Sequence, residues 1–121
     1  MARILVVDDD RPIRTALRAV LESADYEVAE ASDGEEGIRL YRQQKADLII
    51  LDIIMPEKEG IEATMEFKRD FPDVKIIAIS GSEERYLDMA EDLGALRAFS
   101  KPFKPQEVLE VVKELLDERE E

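Results

Sequence analysis

Two residue types with distinctive chemistry are missing from this sequence. Its 121 residues include no cysteine and no histidine. Without cysteine, neither a disulfide framework nor a thiolate metal site can form. Without histidine, the commonest general base and any His-metal chemistry are excluded as well. Any reaction must therefore depend on Asp, Glu, Lys, Ser or Tyr side chains.

Basic charge is also scarce. Lys and Arg number 17 against 30 Asp and Glu, which gives a formal net charge of −13 at pH 7. Such a surface repels nucleic-acid phosphates and acidic membranes, and it favours cations or basic protein surfaces as partners. No apolar run approaches membrane-spanning length, and the first residues do not resemble a signal peptide. We expect a cytoplasmic protein that binds neither nucleic acid directly nor membranes.

The sequence does contain a regular alternation of short apolar runs and longer amphipathic stretches. Three runs, at residues 4–7, 48–51 and 76–79, are aliphatic throughout. Continuous apolar runs are typical of parallel strands that helices cover on both faces. Segment 26–31 alternates and is predicted as a weaker, edge strand, and segment 98–100 is a short fifth candidate.

Helical periodicity fills the intervals between these runs. Asp33 with Glu36 forms a box-like signal for a helix start, and Glu35 with Arg39 forms a supportive pair four residues apart. Helices are predicted over residues 13–24, from 33 onward, over 61–71, over 83–93 and from 105 onward. Five such β-α units predict one doubly wound α/β domain spanning residues 1–121.

Charged and polar residues stand where the predicted strands end. Asp8, Asp9 and Asp10 follow the first run, Asp52 the third, Ser80 the fourth, and Lys101 the fifth. In open parallel sheets, ligands bind beyond the carboxyl ends of the strands, so these side chains are expected to meet. Converging carboxylates repel one another unless a cation neutralises them, and hard oxygen ligands select Mg²⁺, Mn²⁺ or Ca²⁺. A carboxylate beside Mg²⁺ and a lysine is a nucleophile suited to phosphoryl transfer.

Each of these residues also has a purely structural interpretation. The three acids after the first run are suited to capping the first helix, and Asp10 is expected to do so. Taken alone, Asp52 and Ser80 are common turn residues, and Lys101 is a common solvated surface residue. The joint pattern, with every one of them at a strand end, argues against this interpretation.

The segments that carry these residues resemble a known family. Four motifs occur in order along the chain, and the resemblance that they carry covers essentially its whole length: ILVVDDD, LIILDIIMPEKEG, IIAISG and SKPF. They are similar to the receiver domain of bacterial response regulators, the family of the chemotaxis protein CheY. The resemblance implies a flavodoxin-like sheet of strand order 2-1-3-4-5 with five helices. It further implies a phosphorylated switch of two-component systems rather than an enzyme.

The resemblance assigns a role to each position of the site. Asp52 is the phosphoacceptor, Asp9 a direct Mg²⁺ ligand, and Asp8 a ligand acting largely through water. The backbone carbonyl of Ile54 supplies a further metal ligand. Ser80 and Lys101 contact phosphoryl oxygens, and Mn²⁺ is a possible substitute for Mg²⁺. The Lys101-Pro102 bond resembles the family's cis peptide.

The same resemblance implies partners. The phosphoryl donor is a sensor histidine kinase or a phosphotransfer protein, and the signal passes to a downstream protein or to an output domain missing from this chain. The family commonly meets partners through the fourth helix, the fifth strand and the fifth helix. Here that surface includes the outer side of the last helix and five further side chains: Arg85, Met89, Asp92, Arg97 and Phe99.

One position departs from the family pattern. Many receivers carry Tyr or Phe three residues before the lysine, as a rotamer switch. Here that position is Ala98, and Phe99 follows it. Because neighbours on a strand point to opposite faces, Phe99 is not expected to replace the missing aromatic residue.

Three rival interpretations remain open at this point. A haloacid-dehalogenase-like phosphatase would use Asp8 and Asp10 as its D-x-D pair, although Arg11-Pro12 follows where Gly and Thr are expected. A flavodoxin-like FMN binder would need a Ser/Thr/Gly-rich loop after the first strand, where this chain has three acids. A phosphorylation-independent pseudo-receiver is disfavoured because every reactive position is filled.

Overall fold

A single parallel sheet organises the chain, whose computed structural model describes residues 2–53, 60–81 and 84–117. The strands are β1 (Arg3–Val7), β2 (Glu27–Ala31), β3 (Leu48–Asp52), β4 (Ile76–Ser80) and β5 (Arg97–Ser100). Their order across the sheet is β2-β1-β3-β4-β5, with every neighbouring pair parallel. This is the predicted doubly wound, CheY-like arrangement, with the two weaker strands at the two edges.

Helices follow each strand and cover both faces of the sheet. They are α1 (Arg11–Ser23), α2 (Gly34–Gln43), α3 (Gly60–Asp70), α4 (Glu84–Asp92) and α5 (Pro105–Asp117). Buried side chains of α1 and α5 pack on one face, and those of α2, α3 and α4 pack on the other. Within the described segments, no helix combines the length and the apolar character needed to cross a membrane.

The core is split by the sheet into two apolar layers because successive strand residues point to opposite faces. On β1, Leu5 and Val7 pack in the layer of α2 to α4, whereas Ile4 and Val6 pack in the layer of α1 and α5. All five residues of β3 and of β4 are buried. The middle of the sheet is therefore rigidly held, and it fixes the positions of the residues at its carboxyl edge.

The start of α2 confirms one local prediction and corrects another. Asp33 Oδ1 accepts a hydrogen bond from the Glu36 amide at 2.8 Å, and Glu36 Oε1 accepts one from the Ser32 amide at 2.7 Å. The predicted pairing of Glu35 with Arg39 is wrong, because Arg39 Nη2 lies 3.8 Å from Glu36 Oε2 instead. Glu36 therefore contacts both Ser32, before the helix start, and Arg39, in the next turn of the helix.

Candidate functional site

The polar side chains singled out from the sequence meet at the carboxyl edge of the sheet. Asp8 follows β1, Asp52 ends β3, Ser80 ends β4 and Lys101 follows β5. The strand register pairs Val7 with Leu51, so that the residues after them are neighbours across the sheet. The predicted convergence is confirmed for these elements, and it follows from the parallel strand directions.

Three carboxylates form a cluster at this edge. One oxygen each from Asp8, Asp9 and Asp52 lies within 4.8 Å of the other two. Asp8 and Asp52 are buried, at 0% and 2% exposure, whereas Asp9 is exposed. Two acids of the cluster are therefore shielded from solvent, and the third lies at the protein surface.

Lys101 lies against the two buried acids. Its Nζ is 3.0 Å from Asp52 Oδ2, 3.1 Å from Asp8 Oδ2 and 3.4 Å from Asp8 Oδ1. Only 19% of the lysine side chain is exposed, so it is not the solvated surface lysine of the structural interpretation. The Lys101-Pro102 peptide bond is cis, as the family resemblance implied.

Burial and charge together change the protonation of this group of residues. Burial raises the pKa of Asp8 to about 6, and the negative charge of Asp52 adds to that effect. The Asp10 amide and Lys101 act in the opposite direction but do not cancel it. Burial also disfavours the charged form of Lys101, yet its contacts with Asp52 and Asp8 outweigh this and raise its pKa. The lysine is therefore a permanent cation at neutral pH.

One oxygen of the cluster is left without a hydrogen bond. Asp8 Oδ2 is buried and accepts no hydrogen bond from the described residues, although Lys101 Nζ makes an ion-pair contact with it. Buried carboxylate oxygens of this kind carry a large desolvation cost unless a cation or a donor compensates them. Two buried acids, one exposed acid and only oxygen donors fit a hard divalent cation such as Mg²⁺. The expected carbonyl ligand, at Ile54, lies outside the described residues.

Ser80 is fully buried at the end of β4. The register pairs Ile79 with Asp52, which places Ser80 one residue beyond the phosphoacceptor candidate on the neighbouring strand. The Lys101 amide donates a hydrogen bond to the Ser80 carbonyl at 2.7 Å. The main chains that carry the serine and the lysine are therefore tied together.

The acidic loop after β1 corrects the expectation that Asp10 caps α1. Asp10 occupies the N-cap position, but its side chain makes no capping hydrogen bond. Instead Asp8 Oδ1 accepts a hydrogen bond from the Asp10 amide at 2.8 Å. Asp10 is exposed and stands outside the cluster of three carboxylates. A D-x-D phosphatase site needs the first and third acids together, so this arrangement also argues against the haloacid-dehalogenase-like alternative.

Two side chains that help to hold this loop, Arg14 and Glu30, were not identified from the sequence. Arg14 Nη1 donates a hydrogen bond to the Asp8 carbonyl oxygen at 2.7 Å, and Arg14 Nε donates to Glu30 Oε1 at 2.9 Å. Glu30 lies on β2 on the same side as the buried Val28, facing α1. The sequence did contain a signal for this pairing: an acid stands at an inward-facing strand position, opposite a helix with arginines four residues apart.

Gly60 makes a close approach to the main chain of the phosphoacceptor candidate. A Cβ atom at this position would lie 2.1 Å from the Asp52 carbonyl oxygen and 2.2 Å from Ile53 Cα. No side chain fits at such distances, so the first residue of α3 must be glycine. The start of α3 is therefore seated directly on the end of β3.

Other surfaces lie apart from the acidic cluster. An open groove of about 770 Å³ is bordered by charged residues of α2 and α3, and none of its lining residues belongs to the cluster. On the surface expected to meet partners, Met89 is exposed and Arg97 pairs with Glu114 at 3.0 Å. Phe99 is half-buried beside Phe103, and the Arg85 side chain lies outside the described residues.

Comparison with known proteins places these features in one family. The family model for the response regulator receiver domain matches residues 4–113. The chain is 38% identical over 112 residues to the chemotaxis protein CheY of Thermotoga maritima, covering 91% of this chain and 93% of that protein.

Solved structures agree with the sequence relatives. A CheY-like response regulator receiver domain protein from Methanospirillum hungatei matches with a TM-score of 0.92 and 33% identity, over 99% of this chain and 97% of that one. The response regulator TrrA of Thermotoga maritima, solved in complex with Mg²⁺ and BeF, matches with a TM-score of 0.85 and 36% identity. That match covers 95% of this chain and 99% of TrrA.

Proposed function

Since the chain belongs to the family of response regulator receiver domains, we propose that it accepts a phosphoryl group on Asp52 in a Mg²⁺-dependent reaction. One observation carries this proposal. The Asp52 carboxylate is buried at the middle of the sheet edge, 3.0 Å from Lys101 Nζ and within the cluster formed with Asp8 and Asp9. The phosphoryl donor is a histidine kinase or a phosphotransfer protein.

The chemistry needs no general base. An ionised carboxylate oxygen of Asp52 attacks the phosphorus, the bond from phosphorus to the donor nitrogen breaks, and an acyl phosphate forms. Lys101 is within reach to neutralise charge on the transferred group, because it already contacts Asp52. Ser80, at the end of the adjacent strand, is the proposed hydrogen-bond donor to another phosphoryl oxygen.

The proposed metal site is the cluster of three carboxylates. Asp8, Asp9 and Asp52 would hold Mg²⁺, or Mn²⁺ in its place, with the Ile54 carbonyl as the further ligand that the family resemblance implies. When bound, the ion supplies positive charge next to the reacting oxygens. The buried carboxylates of Asp8 and Asp52 both contact Lys101, and with Asp9 they carry more negative charge than one lysine offsets, which supports this assignment.

Receiver domains are signalling switches rather than enzymes that act on a separate substrate. We propose that phosphorylation of Asp52 changes the surface of this chain, and that a downstream protein or an output domain responds to the change. We propose that the signal leaves the site through the Ser80 carbonyl and the Lys101 amide, because these main-chain groups are hydrogen-bonded to each other next to the phosphoacceptor.

Intact-protein mass spectrometry after incubation with a small acyl phosphate tests the proposal. One phosphoryl adduct should form in Mg²⁺, should be labile to hydroxylamine, and should be lost in Asp52→Asn. Asp10→Asn is the matched control, because Asp10 is an exposed acid of the same region outside the cluster, and it should retain the adduct. An adduct that persists in Asp52→Asn, or that forms equally well in excess chelator, contradicts the proposal.

A further inference from the structure

The acidic loop after β1 must keep its shape while its three consecutive acids repel one another. Two hydrogen bonds that hold it involve only the loop and the neighbouring strand. The Asp8 amide donates to the Ala31 carbonyl at 3.1 Å, and the Asp10 amide donates to Asp8 Oδ1 at 2.8 Å. A further hydrogen bond comes from a cation outside the loop, since Arg14 Nη1 donates to the Asp8 carbonyl at 2.7 Å.

Arg14 reaches this carbonyl from the first turns of α1. Its side chain is only 16% exposed, and its Nε donates at the same time to Glu30 Oε1 at 2.9 Å. The planar guanidinium presents several donors in a fixed geometry, so one contact orients the other. Glu30 therefore holds the guanidinium in the orientation that contacts Asp8.

Glu30 also has a second basic partner. Arg18, four residues after Arg14 on α1, donates from Nη1 to Glu30 Oε2 and from Nη2 to the Val28 carbonyl at 2.8 Å. Like charges four residues apart on a helix repel, and the carboxylate between them removes that repulsion. The two arginines differ in their targets: Arg14 contacts the acidic loop, whereas Arg18 contacts the edge strand.

We propose that Arg14, oriented by Glu30, is a positioning residue that holds the main chain of Asp8 in the geometry needed for the metal site. The inference rests on the proposed function, because it concerns the site that would hold Mg²⁺. Arg14 does not touch the carboxylate oxygens of the cluster in this arrangement. Its effect on Mg²⁺ passes through the carbonyl of Asp8 and the loop that carries Asp9.

The charge of Arg14 and its hydrogen-bonding geometry make opposite contributions to Mg²⁺ affinity. A positive guanidinium near the site repels a divalent cation, whereas a well-placed loop attracts one. Arg14→Lys separates the two contributions because it keeps the charge but loses the fork that contacts Asp8 and Glu30 together. Arg18→Lys is the matched control, since Arg18 shares Glu30 and the same helix but contacts Val28 rather than Asp8.

Titration calorimetry with Mg²⁺ on the full chain is the primary test. Arg14→Lys should weaken Mg²⁺ binding about tenfold, which is the lower end for residues that orient a metal ligand. Arg18→Lys should bind Mg²⁺ within about twofold of the parent. Adding Glu30→Gln to Arg14→Lys should weaken binding little further, because Glu30 acts through Arg14. Unchanged Mg²⁺ affinity in Arg14→Lys overturns the inference, as does an equal loss in Arg18→Lys.

Amide hydrogen exchange in chelator supplies a readout that a general loss of stability would not give. In Arg14→Lys the amides of Asp8 and Asp10 should exchange faster, while those of β3 and β4 should be unchanged. Uniformly faster exchange would assign Arg14 an ordinary structural role and overturn the inference. The proposed function fails separately, because a parent chain that binds no Mg²⁺ contradicts the metal site itself.

Discussion

Ala98 and Phe99 are neighbours on β5 but pack into different layers of the core. Ala98 contacts the layer formed with α2, α3 and α4, and Phe99 contacts the layer formed with α1 and α5. On β4, Ala78 shares the layer of Ala98, and Ser80 lies two residues further along the same strand. By the alternation of strand side chains, Ser80 faces the layer of Ala98 rather than that of Phe99.

The first prediction concerns this missing aromatic switch. Phe99 should remain beside Phe103 on phosphorylation, because its path to Ser80 is blocked by the sheet itself. Structures of the chain with Mg²⁺, with and without beryllofluoride, measure the side-chain rotamer directly. A Phe99 ring lying next to Ser80 in the beryllofluoride complex would refute it.

The second prediction compares two neighbouring exposed acids. Asp9→Ala should abolish Mg²⁺ binding in calorimetry, because it removes one of the three clustered carboxylates. Asp10→Ala should leave Mg²⁺ affinity within about threefold of the parent, since Asp10 stands outside the cluster and acts only through long-range charge. Equal losses in the two variants would mean that total charge, rather than coordination, attracts the ion.

The third prediction concerns stability as a function of pH in chelator. Burial raises the pKa of Asp8 from 3.8 to about 6, so the folded state binds this proton more tightly than the unfolded state. The group therefore causes no loss of stability below pH 3.8, and stability falls as the pH rises through about 6. Asp8→Asn removes the ionisation and should be more stable than the parent by about 1–3 kcal/mol at pH 8.

Chemical denaturation of the parent and Asp8→Asn between pH 5 and pH 8 measures this difference, and the other acids cancel in the comparison. The gap should shrink towards pH 5 and should also shrink when Mg²⁺ is added, because only the parent gains from binding the ion. Asp9→Ala is the control, since its exposed carboxylate should change the free energy of unfolding by less than about 0.5 kcal/mol in chelator. A lower stability of Asp8→Asn at pH 8 would show that the acid is needed structurally.

The parts of the fold that were predictable from the sequence depend on patterns along the chain. The aliphatic runs of β1, β3 and β4 predict buried parallel strands, and the rule for carboxyl ends then brings Asp8, Asp52 and Lys101 together without any knowledge of distances. The alternation in β2 indicates an edge strand. These inferences need only the spacing of apolar residues and the direction of the chain.

The parts that were missed depend on individual side-chain contacts. Asp10 has the residue type and position of a helix cap, yet its side chain makes no capping hydrogen bond, and its amide donates to Asp8 Oδ1. The contact of Arg14 with the Asp8 carbonyl depends on Glu30, which only the β1–β2 pairing brings next to α1. The pairing of Arg14 with Glu30 is a property of two packed elements, and the sequence signals it only through the inward-facing acid of β2 and the two arginines of α1.

The contact of Gly60 with the end of β3 joins two backbones without any side chain between them. The separation of the start of α3 from the strand is therefore set by the van der Waals radii of main-chain atoms, and it does not depend on which side chains α3 carries on its outer surface. Exposed positions such as Glu62 and Met65 are free to diverge between related proteins without displacing Asp52. The helix that follows β3 can thus acquire new surface chemistry over evolutionary time while the geometry of the Asp52 carboxylate stays constant.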